Sequence, residues 1–130
     1  MKKTIAILAL LLAVPGAHAQ PGAEHHVKAA LVPNGSSGVT GFVQLTQLPH
    51  GGTNVHVVAF GLHHDTVYAS FYYESADCTG GHDLLGTFTA EPSGTGTVDG
   101  KIDDDLDEVG SVSVRLGPGY GDLLACATVH

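Results

Sequence analysis

The side chains able to do chemistry in this chain are histidines, carboxylates, tyrosines and a pair of cysteines. His63-His64 stands beside Asp65 between two apolar runs, and His82-Asp83 follows a Gly-Gly pair. Imidazole with carboxylate is the donor set of zinc and copper sites. Neighbouring strand residues point to opposite faces, so His63 and His64 can serve one ion only from a loop. A metal site built from His63, His64 and His82 is one reading; solvent-exposed turn residues are the other. His25-His26 belongs to an N-terminal stretch that lacks the third-position histidine of a backbone-chelated copper. His56 is expected to face outward from a strand.

The run Asp103-Asp104-Asp105-Leu106-Asp107-Glu108 has a D-x-D-x-D spacing. It lacks the glycine at position six and the glutamate at position twelve of a calcium loop, so it reads as a solvated connection. Tyr68, Ser70 and Tyr72 share one strand face, where they either anchor an interface or pack beneath a loop. No G-x-S-x-G elbow is present, and no phosphate-cradling glycine loop.

The elements that must position these groups all have period two. Strands are expected over Val27–Val32, Val39–Thr46, Asn54–Phe60, Val67–Tyr73, Leu85–Ala90, Thr95–Ile102, Val112–Leu116 and Leu123–Val129. Pro33-Asn34-Gly35, His50-Gly51-Gly52, Glu91-Pro92-Ser93-Gly94 and Gly117-Pro118-Gly119 punctuate them. In the fourth strand Val67, Ala69, Phe71 and Tyr73 form the expected inward set, leaving Tyr72 and Glu74 outside. Eight short strands without a helical stripe predict an all-β antiparallel barrel or sandwich.

Composition narrows the setting. Met1-Lys2-Lys3, the apolar run Ile5–Val14 and Ala17-His18-Ala19 read as a signal peptide over residues 1–19. A flexible tail over 20–26 and a single domain over 27–130 follow, in the periplasm or secreted. Without Lys2 and Lys3, the basic residues Lys28, Lys101 and Arg115 face 13 acidic ones. That balance argues against nucleic acid or anionic lipid as partners, and no later apolar run is long enough for membrane insertion. Two cysteines in an exported chain pair with each other, here Cys78 with Cys126.

The order of motifs resembles the copper/zinc superoxide dismutase family. "GFVQLTQLPHGGTNVHVVAFGL" is similar to that family's second and third strands. "SFYYESADC" falls where the family carries Phe-His-x-His followed by its first disulfide cysteine. "LLGTFTAEPSGTG" is similar to its Leu-Gly-x-x-Thr-Ala-Asp hairpin, and "LLACATV" to its last strand with the second cysteine. The resemblance runs from Val27 to Val129 and implies an eight-stranded Greek-key barrel bridged by Cys78 and Cys126.

The resemblance also implies what is lost. Tyr72 and Glu74 stand at two copper-ligand positions, Leu116 at the seventh-strand histidine, and Leu123 at the arginine before Leu-Ala-Cys. The long zinc loop shrinks to "CTGGHDLLG". A vacated copper site implies an exported, non-catalytic β-domain that acts through its surface, with no cofactor. Its partner is a protein or small molecule that the sequence does not name. The alternatives are a periplasmic copper or zinc binder using the loop histidines, and an unusual superoxide dismutase.

Overall fold

In a computed structural model, residues 25–130 of the chain are described. The signal-peptide reading therefore lies outside the described residues, as does the tail up to residue 24. Eight strands follow in order: β1 (His26–Pro33), β2 (Thr40–Gln47), β3 (Thr53–Phe60), β4 (Val67–Tyr73), β5 (His82–Thr89), β6 (Gly96–Ile102), β7 (Ser111–Leu116) and β8 (Leu123–Thr128). A short 3-10 turn over Leu106–Glu108 lies between β6 and β7. His26, placed in the tail by sequence, is the first residue of β1. His82, placed in a loop, opens β5.

The strands form one antiparallel sheet in the order β5-β4-β7-β8-β1-β2-β3-β6. Its two end strands pack on each other, so the sheet nearly closes into a barrel. β4, β5 and β6 run consecutively, and β7 then crosses to pair with β4. That return is a Greek-key connection.

Alternation explains the core. Val43 and Leu45 of β2, Val55 and Val57 of β3, and Val112 and Val114 of β7 are all buried inside the barrel. Each such side chain contributes roughly 1.5–3 kcal/mol by leaving water. Polar residues of β2 and β3 such as Gln44 and Asn54 face solvent, as a half-buried antiparallel sheet requires.

β4 and β7 depart from that pattern, because both of their faces are buried. Tyr68 belongs to the barrel core and Tyr72 packs against it, whereas Ala69, Phe71 and Tyr73 form a second cluster with Cys78, Leu123 and Cys126. The expected parity of β4 is thus reversed: Phe71 and Tyr73 point away from the barrel and Tyr72 towards it. With both faces apolar, hydrophobicity alone does not choose between registers. The segment from Glu74 to Gly81 covers the outer face of this half of the sheet. Gly110 permits the close approach, since any Cβ there would press on the carbonyl oxygens of Glu74 and Ser75.

Candidate functional site

The covering segment is tied down at many points. Ser111 Oγ donates to the Ser75 carbonyl oxygen at 2.7 Å and accepts from the Cys78 amide at 2.9 Å. Thr128 Oγ1 donates to the Ala76 carbonyl oxygen at 2.8 Å. The disulfide joins Cys78 to Cys126 across 48 residues of sequence. Ser111 and Ser113 are fully buried, although they alternate with Val112 and Val114 as the polar residues of a half-buried strand do.

At the edge of this cover lies a cluster that the sequence analysis did not anticipate. Arg115 Nε donates to the Tyr73 hydroxyl at 3.0 Å, Nη1 to the Gly121 carbonyl oxygen at 2.9 Å, and Nη2 to the Cys78 carbonyl oxygen at 3.2 Å. The guanidinium lies 3.8 Å over the Tyr120 ring, and the His82 ring stacks on Tyr120 at 3.8 Å and 7°. Two groups that close cannot share one ring face, so Tyr120 is sandwiched between them. Phe71 closes the cluster edge-on to both His82 and Tyr120. Tyr73 also meets the Ser113 hydroxyl at 2.9 Å, which leaves its buried phenol oxygen fully partnered. Arg115 is the only arginine in the chain and sits on the polar face of β7. Those two facts were the available signal for this cluster.

The four positions assigned to a vacated copper site do not all come together, although Tyr72 and Glu74 line one cleft. Tyr72 pairs with Val112, and Leu116 with Tyr68 four residues away, a separation of about 13 Å along a strand. Leu116 is exposed at the barrel's end, and Glu74 is exposed beyond the end of β4. Only Leu123 joins the outer cluster beside the bridge. It pairs with Arg115, so a guanidinium does reach this face, but from the neighbouring strand.

The candidate metal histidines are likewise apart. His63 and His64 precede β4, whereas His82 pairs with Tyr73 at that strand's far end. The length of β4, on the order of 20 Å, lies between them. His64 Nδ1 stands 3.1 Å from Asp65, and His82 Nδ1 2.9 Å from the Gly80 carbonyl oxygen. His56 is engaged by Asp99 on the opposite half of the sheet. Among the described residues, Asp105, Asp107 and Glu108 form the one group of three or more acidic, histidine or cysteine side chains close enough for a shared ion, and all three are exposed. Two of them already serve the turn: Asp105 accepts from the Gly52 amide at 2.9 Å, and Glu108 accepts from the Asp105 amide at 2.7 Å.

A cleft of about 550 Å³ opens where β4 ends, lined among others by Tyr72, Glu74, His82, Asp83 and Asp104. Among the described residues, no lysine or arginine lines it. Burial, followed by Asp83, Asp104 and Asp103, raises the proton affinity of the Tyr72 phenol. Burial, then Glu108 and Asp83, does the same for Asp104.

No protein-family model matches this chain, and no curated protein does.

The geometry of the site bears on copper directly. A copper ion that changes oxidation state needs several imidazoles in a nearly fixed arrangement. The outer face beside the bridge offers one imidazole, two phenols and a guanidinium whose charge repels a cation. The donor set does not fit copper.

Proposed function

We propose that this protein is an exported β-barrel domain, similar in fold to the copper/zinc superoxide dismutases, that binds through its surface rather than catalysing dismutation. The observation that carries the reading is the filling of the space beside the bridge by Phe71, Tyr73, Tyr120, His82 and Arg115. Side chains committed to one another in this way leave no set of free imidazoles for a redox metal. A disulfide with one fully buried cysteine suits an oxidising compartment such as the periplasm or the exterior.

The binding role falls most naturally to the cleft beside Tyr72, whose volume lies in the range of small-molecule and side-chain pockets. A partner seated there meets a tyrosine, a histidine and several carboxylates, so it presents positive charge. Calorimetric titration with an arginine- and lysine-containing peptide tests this. Binding that weakens with salt and is lost in Asp83→Asn/Asp104→Asn supports it. Unchanged binding in that variant, or none in the wild type, contradicts it.

A further inference from the structure

The disulfide is asymmetric in what surrounds its two ends. Cys78 is 0% exposed, and its amide and carbonyl are held by Ser111 and Arg115. Cys126 is partly exposed in β8. Its partner in β1 is Val32, which is 61% exposed, so among the described residues nothing large stands over that side of the strand pair. Thiol–disulfide exchange requires a thiolate to reach a sulfur, and access decides which sulfur is attacked.

We infer that Cys126 is the site at which small thiols modify this protein, and that Cys78 is the buried leaving and resolving thiol. The exchange balances without an added oxidant. The incoming thiolate attacks Cys126 Sγ, a new sulfur–sulfur bond forms there, and the Cys78–Cys126 bond breaks. The bonding pair leaves on Cys78 Sγ as a thiolate. The Arg115 guanidinium, bonded to the carbonyl oxygen of the same residue, places a positive charge near that new negative one. The covering segment keeps its other anchors, among them Thr128 to Ala76 and the Ser111 hydroxyl to the Ser75 carbonyl oxygen. Cys78 therefore stays within reach of Cys126 and expels the adduct when the external thiol is withdrawn. The modification is reversible and needs no unfolding.

The test uses the oxidised native protein with glutathione as the probe. After brief exposure the reaction is quenched by acid and N-ethylmaleimide, and the two cysteines are mapped by mass spectrometry. Glutathione should be found on Cys126 and maleimide on Cys78, with a bias of at least ~tenfold that vanishes in urea. Adduct on Cys78, equal labelling of both sites, or no adduct without denaturant would each overturn the inference. A second measurement follows the free thiols of Cys78→Ser and Cys126→Ser with a chromogenic disulfide. The thiol left in Cys78→Ser should react at least ~tenfold faster than the one left in Cys126→Ser. Equal rates in the two variants, provided both fold, would contradict it. Should either variant fail to fold, the wild-type mapping still decides.

Discussion

The guanidinium of Arg115 lies 3.8 Å over the ring of Tyr120 while donating hydrogen bonds to Tyr73, Cys78 and Gly121. One side chain thereby joins β4, the segment covering the outer face, and the β7–β8 turn. The planar fork of arginine allows three bonds and a stacked ring together, which an ammonium group does not.

Arg115→Ala should therefore cost about 2–4 kcal/mol, since it strips the Tyr73 hydroxyl of a donor and frees two carbonyl oxygens. Arg115→Lys should recover less than half of that loss. Urea unfolding of the oxidised protein measures both. A lysine variant as stable as wild type would show that charge alone, rather than the fork, holds the segment.

The bridge closes a loop of 48 residues, for which chain entropy predicts a contribution of about 4 kcal/mol. Cys126→Ala should lower stability by roughly 2–5 kcal/mol, the usual range for small secreted domains. Thermal unfolding with and without reductant provides the check, because reductant should move the wild type and leave the variant where it is.

Two carboxylates should respond to pH in opposite senses. Burial and neighbouring acidic groups raise the proton affinity of Asp104, so the folded chain holds that proton more tightly than the unfolded one. Its stability is lost as pH rises from the unfolded carboxylate value near ~3.9 through the raised folded value. Asp104→Asn should then raise the urea midpoint at pH 7 and leave it unchanged at pH 3. Asp105 is held low by the Gly52 amide and then Gln47, so its stability is present at pH 7 and lost as pH falls below that value. Asp105→Asn should lower the midpoint at pH 7 and have no effect at pH 2. The same sign for both variants at pH 7 would contradict the electrostatic account.

How much of this was legible in the sequence depends on which side of the sheet is considered. Val43, Leu45, Val55 and Val57 alternate with polar residues, and the half of the barrel they build follows from that pattern. β4 and β7 do not, because a covering segment buries their second face. Ser111 and Ser113 look like solvent-facing residues until Ser75, Cys78 and Tyr73 arrive to pair with them. Phe71, Tyr72 and Tyr73 are all large and partly apolar, so no local signal set which of them entered the barrel. The position of the disulfide was readable from two cysteines. The side chains it gathers around Arg115 were not, since Tyr73, His82 and Tyr120 meet there only through tertiary structure.

The outer cluster also fixes what engineering would be needed to build a metal site. Phe71→His with Tyr73→His places two imidazoles on the face that carries His82 and the bridge. Those three should hold one copper or zinc ion only weakly by calorimetry, because the Arg115 guanidinium beside them repels the cation. No binding by that variant would contradict the orientation of β4.

The central claim is that the face beside Cys78–Cys126 is a packed aromatic and guanidinium cluster with no place for a redox copper. Copper content of the wild-type protein, supplied with copper and then dialysed against a weak chelator, tests it most directly when read with superoxide dismutation on the same sample. The account predicts far less than one copper per chain and no dismutation above buffer. One tightly held copper per chain together with dismutation would contradict it.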